Sequence, residues 1–395
     1  MSKFNHRMGR TTLNVLSGEN RANQQVVVNQ VKHAFLFGCS EFSTLPYVGG
    51  EMDAEQHAGA EKRYDLMADL MNYVTLPFYW GRYEPVEGQP DRVRMRKAAE
   101  YLKARGMTLK GHPLCWHTSC APWLLEKTND EIYRIQLERI TRDITEYKGL
   151  IDMWDVINEA VIMPLFDKYD NAITRICKER GRISLIRDLF KTAQQASPVA
   201  TLLINDFETS ESYDILIEGC LEAGIKIEHI GIQSHQHQGW WGPEKTAEIL
   251  ERFSRFQLPI HFTELNLVSG HIMPKSIVDL NDYKCDHWPS TEIGEARQAF
   301  EAAAFYEQLL ENPWVQSITW WSFMDGLWLG APSGLVSKDN TAKPAYKALH
   351  DRIKGQWWVN DQIYTTDANG NITVEGWKGV YTASINGQQL SFNIE

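Results

Sequence analysis

Residues 151–160 read "IDMWDVINEA": an apolar run, Ile151 to Ile157, interrupted by Asp152 and Asp155 and closed by Asn158 and Glu159. The run has the length and composition of a buried strand. It nevertheless ends in an amide beside a carboxylate, groups that are costly to bury without partners. A strand with this ending belongs to a fold in which the ends of core strands meet at a common, functional surface.

Seven further runs have the same character: "AFLFGCS" (34–40), "YVTLPFYW" (73–80), "MTLKGHPLCW" (107–116), "ATLLINDFE" (200–208), "IEHIGIQSH" (227–235), "LPIHFTELN" (258–266) and "VQSITWWSF" (315–323). Helical patterns separate them. In "RISLIRDLFKTAQQ" (182–195), Ile186, Leu189, Phe190 and Ala193 fall on one helical face. Strands alternating with helices pair in parallel, because each crossover needs a connection of a dozen or more residues. Eight such units predict an α/β fold, the (β/α)8 TIM barrel. Most runs turn polar at their C-terminal ends: His112, Asn158-Glu159, Asn205-Asp206, Gln233 with His235, and Glu264 with Asn266. In such a barrel these ends gather on one face, where active sites lie.

The flanks differ. "TTLNVLSGENRANQQVVVNQ" (11–30) alternates apolar and polar residues around a Gly-Glu-Asn turn, and 362–395 does likewise, with Asn369-Gly370 and Asn386-Gly387 as hairpin signals. Isolated hairpins are marginal in water. The two ends are therefore expected to combine into a small β-sandwich-like appendage, residues 1–33 with 356–395, beside a catalytic barrel at 34–355.

A chain of 395 residues suits one barrel with a small addition. Its net charge of -11 offers nothing to a phosphate backbone or an anionic membrane, so neither nucleic acid nor membrane is expected as a partner. No stretch of eighteen apolar residues occurs. The first twenty residues lack an apolar core of signal-peptide length, which reads as cytoplasmic as written, and as secreted or periplasmic if a signal has been removed. Six scattered cysteines suggest reduced thiols and no metal-ligand spacing. No cofactor is expected. The 14 Trp, 15 Tyr and 15 Phe supply a large core and, where exposed in a groove, rings on which sugars stack.

Glu159 and Glu264 stand at the ends of the fourth and seventh runs, so only the fold can unite them. Two carboxylates across a barrel mouth suit glycoside hydrolysis, one protonating the leaving oxygen and one attacking the anomeric carbon. Metal binding, with His112 and His235 as further ligands, is the alternative that these residues leave open.

Six motifs narrow the choice: "GHPLCWH" (111–117), "WDVINEA" (154–160), "LLINDFE" (202–208), "HIGIQSH" (229–235), "HFTELN" (261–266) and "KPAYKAL" (343–349). In this order they resemble glycoside hydrolase family 10, the retaining endo-β-1,4-xylanases, over residues 34 to 352. The resemblance implies Glu159 as acid/base and Glu264 as nucleophile, with His235 supporting the nucleophile. It implies Asn158 at the sugar 2-hydroxyl, Gln233 beside the acid/base, and His112 and Trp116 as the wall of the subsite holding the cleaved sugar. Trp321 and Trp328 match an aromatic roof, with core packing as the bland reading of each tryptophan.

Departures from the family pattern concern the sugar. Where the family carries Glu-Asn-x-x-Lys after the second strand, "TLPFYWGRYEP" (75–85) stands instead. Arg82 either replaces the lysine as a donor to the substrate or joins a surface ion pair. Asn266 replaces the aspartate usual in "TELD". Trp240 and Trp241 offer a stacking platform or simply core. The expected function is hydrolysis of β-1,4-xylosidic linkages in xylan or xylo-oligosaccharides. An exo-acting or small-glycoside β-glycosidase, and a non-catalytic glycan-binding protein, are the competing readings. The expected partner is a carbohydrate substrate.

Overall fold

A computed structural model describes residues 3–16, 21–283 and 285–395. The Gly-Glu-Asn turn anticipated near the N-terminus lies outside the described residues. In chain order the strands are β1 (Met8–Asn14), β2 (Gln25–His33), β3 (Leu36–Ser40), β4 (Tyr73–Pro77), β5 (Thr108–His112), β6 (Met153–Asn158), β7 (Thr201–Asp206), β8 (His229–Ile232), β9 (Ile260–Leu265), β10 (Val315–Trp320), β11 (Gln362–Thr365), β12 (Asn371–Trp377), β13 (Gly379–Ile385) and β14 (Gln388–Ile394).

The eight apolar runs become β3 to β10, and these close a parallel barrel in which β10 pairs with both β9 and β3. Every residue of β6 is buried, as expected of a parallel strand covered on both faces. The connecting helices start on local signals. Asp53 with Gln56, and Thr128 with Glu131, form reciprocal capping boxes ahead of the helices Ala54–Leu70 and Asn129–Glu146. The helix Arg182–Ala196 buries the expected face, Ile186, Leu189, Phe190 and Ala193, together with Leu185. A glycine is required once for the site. A Cβ at Gly231 on β8 would sit 2.4 Å from the Asn205 side-chain oxygen on β7, so only glycine leaves that amide its place.

The termini add two sheets: β1 with β12, and β11-β2-β13-β14. Val26, Val28, Ile372, Val374, Tyr381 and Ile385 form an apolar core of their own there. The Asn386-Gly387 signal gives a true hairpin, with positive φ at both residues and β13 antiparallel to β14. Asn369-Gly370 does not. It turns the chain under the Asp367 side chain, which accepts from the backbone of Asn369 and Asn371, but β11 pairs with β2 while β12 pairs with β1. The turn is local; the pairing is decided by which sheet buries each strand's apolar residues.

Arg7 ties this region to the barrel. Its guanidinium donates to the carbonyls of Leu310, Asn312 and Val315, at the end of the helix Glu292–Glu311 and the start of β10. Phe4 and Trp377 pack with Trp357, which stacks on Phe37 of β3. We propose that the two terminal segments fold as one interdependent unit. Deleting residues 357–395 would strip β2 of both neighbours and expose an unpaired edge and its valines. The expected result is a variant that aggregates or binds a hydrophobic dye during purification. A monomeric variant with unchanged thermal unfolding contradicts it.

Candidate active site

The C-terminal ends of the barrel strands carry a connected set of polar side chains. Glu159 follows β6 directly, in the left-handed region at φ 57°, with its N–H bonded to the carbonyl of Asn205 at 2.8 Å. A non-glycine residue in this conformation is held there by its surroundings, and such residues cluster at active sites. Two residues on, the N–H of Val161 donates to Asp206 at 3.0 Å, which fixes the turn that presents Glu159.

Four contacts fix the carboxylate of Glu159 and its neighbours. The indole N–H of Trp116 donates to Oε2 at 2.8 Å. The side-chain amides of Asn158 and Gln233 donate to Oε1, each at 3.2 Å. Gln233 also donates to the Asn158 oxygen. Burial pushes Glu159 up from the ordinary 4.5 to about 7, against the hydrogen bond from Trp116 and with the help of the Glu264 charge.

Glu264, in β9, is treated differently by its surroundings. Its Oε1 accepts from the Asn205 amide at 3.0 Å, and its Oε2 lies 3.1 Å from Nε2 of His235. Nε2 of His112 lies 3.8 Å from Oε1. Burial pushes Glu264 up, but attraction to His112 and the bond and charge of His235 outweigh it, so the net shift is down. His112 is held in turn by Asp155 at 2.6 Å, and Asp155 is paired with the buried Lys110 at 2.8 Å. Asn205 links the two carboxylates. Its amide donates to Asn158 at 2.7 Å as well as to Glu264, and Thr263 donates to its oxygen.

Aromatic rings surround the set. Trp321 stands edge-on to His112 with centroids 5.4 Å apart, and Trp328 stacks on His235 at 5.4 Å and 10°. Tyr79 packs between His112 and Trp116. The structure therefore brings together Glu159, Glu264, Asn158, Gln233, His112, His235, Trp116, Trp321 and Trp328. Arg82 is apart: it is exposed on the short turn Trp80–Tyr83, and among the described residues its guanidinium reaches only the Tyr79 ring, at 6.0 Å. Trp240 and Trp241, both partly buried, pack edge-on against Phe300 and Phe305 of a barrel helix.

Asn205 was expected at this face only as a polar strand end without a role, and Tyr79, Asp155 and Lys110 were not among the expected site residues. A lysine and an aspartate inside buried strands were the visible signal for the last two. Among the described residues no three His, Cys, Asp or Glu side chains are grouped to hold a metal ion, and no helix is long and apolar enough to cross a membrane.

One carboxyl that holds its proton to about neutral pH and one held ionised, both at a barrel mouth, can deliver a proton and a nucleophile to opposite sides of one bond. The model of Glycosyl hydrolase family 10 matches residues 41–352, most of the chain. The protein is a glycoside hydrolase. It belongs to glycosyl hydrolase family 10.

Endo-1,4-beta-xylanase B of Thermotoga neapolitana is 26% identical over 318 residues, covering 76% of this chain and 84% of that protein. An endo-1,4-beta-xylanase/feruloyl esterase of Xylanibacter ruminicola is 27% identical over 222 residues, which are 50% of this chain and 30% of that protein, so the chain spans less than a third of its length. Among solved structures, a family 10 hydrolase from Paenibacillus barcinonensis superposes with a TM-score of 0.66 at 23% identity, over 82% of this chain and 96% of that one. Xylanase 10B from Thermotoga petrophila, solved with xylobiose, does so with a TM-score of 0.66 at 21% identity, over 82% and 95%.

Proposed function

We propose that this hydrolase cleaves β-1,4-xylosidic linkages in xylan or xylo-oligosaccharides with retention of configuration, using Glu159 as acid/base and Glu264 as nucleophile. The observation that carries the assignment is the opposite treatment of two carboxyls joined through Asn158 and Asn205. The ionised Glu264 attacks the anomeric carbon while the protonated Glu159 gives its proton to the departing glycosidic oxygen. Water then cleaves the glycosyl ester, with Glu159 taking the proton back as base.

The remaining residues position these two. Gln233 and Trp116 hold the Glu159 carboxyl, and His235 and Asn205 hold that of Glu264. Asn158 is placed to reach the sugar 2-hydroxyl, a contact that strengthens in the transition state. His112 and Trp116 wall the subsite of the cleaved sugar, and Trp321 and Trp328 roof it. Xylan as substrate is supported by the names of the relatives.

A second reading, an exo-acting or small-glycoside β-glycosidase, is favoured by one observation. Tyr79, in the loop that departs from the family pattern, packs on Trp116 and His112, the residues assigned to the wall of the subsite of the cleaved sugar. Comparing hydrolysis of xylo-oligosaccharides with that of aryl β-xylosides and β-glucosides separates the two. Faster cleavage of longer xylo-oligosaccharides supports the endo reading; indifference to chain length supports the other.

Arg82 is proposed as a glycone-side donor because it stands on the loop that departs from the family pattern, next to Tyr79, whose ring its guanidinium faces at 6.0 Å. Hydrogen bonds to charged groups contribute about 1.5–3 kcal/mol. Arg82→Ala is expected to lower kcat/KM on xylo-oligosaccharides by roughly 10- to 100-fold and to leave aryl xylosides nearly unaffected. Equal relative rates across both substrates would mark Arg82 as a surface residue only.

A further inference from the structure

The two strands that carry the carboxyls, β6 and β9, divide the barrel into two arcs. β10, β3, β4 and β5 lie on one side of them, and β7 and β8 on the other. His112 on β5 and Trp321 just past β10, assigned to the cleaved sugar, belong to the four-strand arc, so the leaving group extends toward β7 and β8. That side is spanned by a contact between the loops that follow the two carboxyls. The ammonium of Lys168, on the loop after Glu159, lies 2.6 Å from Oδ2 of Asp279 and 2.7 Å from Oδ1 of Asp282, both on the loop after Glu264. The connections between are short: β7 leads to the helix Glu211–Glu222 through 207–210, and β8 to the helix Gly242–Ser254 through 233–241. The loop after β9 runs instead from 266 to 291. Connections beyond roughly 12–15 residues are uncommon and usually functional.

Both feet of this bridge are fastened to the site. On one side, Met273 and Trp288 share an apolar cluster with Trp321 and Trp328. The Gln238 side chain, from the loop after β8, donates to the carbonyls of Pro274 and Ile277 at 3.1 and 2.7 Å. On the other side, Phe166 packs on His117 with ring centroids 4.6 Å apart, and Nε2 of His117 lies 4.0 Å from Oε2 of Glu159. The clasp is held differently. The side chains of Lys168, Asp279 and Asp282 are 45%, 34% and 64% exposed. Ion pairs this open to water are individually weak and are screened by salt. A firm base with a weak clasp can part without disturbing the carboxyls.

We propose that Lys168 is a specificity-determining residue: its bridge to Asp279 and Asp282 closes the leaving-group side of the cleft, so that short xylo-oligosaccharides and aryl xylosides are cleaved in preference to internal bonds of a xylan chain. The proposal rests on the reading of Glu159 and Glu264 as the catalytic pair acting on xylosidic bonds. A polymer crossing the site must leave it over β7 and β8, and it does so only when the clasp parts. A short leaving group is accommodated with the clasp closed.

The unaltered protein, Lys168→Ala and Lys168→Arg are compared on nitrophenyl β-xyloside and on neutral soluble arabinoxylan. In Lys168→Ala, kcat/KM on arabinoxylan relative to that on the aryl xyloside should rise about two- to fivefold, the scale of an exposed ion pair, with the aryl rate unchanged. Lys168→Arg should keep the ratio of the unaltered protein. Salt at about 1 M, where the screening length is about 3 Å, should raise the ratio in the unaltered protein and leave it unmoved in Lys168→Ala. General destabilisation lowers both rates and does not produce a gain on the polymer. A ratio unmoved by Lys168→Ala, or one that responds equally to salt with and without the lysine, overturns the proposal. Hydrogen exchange followed by mass spectrometry needs no substrate: amides of 274–283 should exchange faster in Lys168→Ala, and unchanged exchange overturns the bridge itself. A Glu264→Ala variant that still cleaves the aryl xyloside, or an unaltered protein that cleaves neither compound, overturns the catalytic or substrate reading and the proposal with it; faster exchange in Lys168→Ala then shows that the bridge exists without this role.

Discussion

Glu264→Ala is expected to abolish hydrolysis of every β-xyloside, activated or not, with kcat/KM falling on the order of 10⁵-fold or more, the scale seen when a covalent nucleophile is removed. The loss should not depend on the leaving group, because Glu264 acts on the anomeric carbon in all of them. Among the described residues, Glu159 is the carboxyl joined to it through Asn158 and Asn205, and it sits on the opposite side of that bridge. Glu264→Ala should fold, since it removes a buried carboxylate without adding volume. The Asn205 amide keeps its bond to Asn158. Circular dichroism and thermal unfolding separate a folded, inactive variant from a misfolded one. Wild-type rates on dinitrophenyl β-xyloside in a folded Glu264→Ala variant would refute the nucleophile assignment.

Glu159→Ala is expected to have a large effect that does depend on the leaving group. General acid catalysis contributes about 10²- to 10⁴-fold. For xylo-oligosaccharides, whose departing alkoxide needs a proton, kcat/KM should fall by that factor. For dinitrophenyl β-xyloside kcat/KM should change little, while kcat falls because water now attacks the glycosyl-enzyme without a base. Added azide should restore kcat by attacking without deprotonation. The pH profile follows from the same two groups. Glu264 must be ionised, so activity rises with pH through its depressed value. Glu159 must be protonated, so activity on natural substrates falls as pH rises through about 7. Uniform loss on both kinds of substrate, with no rescue by azide, would place the proton donor elsewhere.

The barrel was legible because its strands are buried on both faces and so leave long apolar runs, and all eight became strands. Their polar ends were equally legible, and they carry nearly all of the candidate site. What sequence could not show is which polar ends touch. Asn205 stands between Asn158 and Glu264 only because β7 lies between β6 and the strands leading to β9. Asn369-Gly370 and Asn386-Gly387 look alike as hairpin signals, yet strand partners far away in the chain separate their outcomes. Trp240 and Trp241 were open to either reading, a stacking platform or core, and their packing on a helix depends on how that helix lies against the barrel. Asn266 was visible as a departure, but not that its amide would donate to the carbonyl of Trp321, 55 residues later in the chain.

The central claim is that Glu264 forms a covalent bond to the sugar. The most direct test is incubation with a dinitrophenyl 2-deoxy-2-fluoro-β-xyloside, in which the fluorine slows both steps while the reactive departing group keeps formation of the glycosyl-enzyme faster than its breakdown. Digestion and mass spectrometry then locate the label. The account predicts one fluoroxylosyl group per chain, on the peptide containing "HFTELN" and within it on Glu264. A label on any other residue, or an active enzyme that never acquires one, would contradict it.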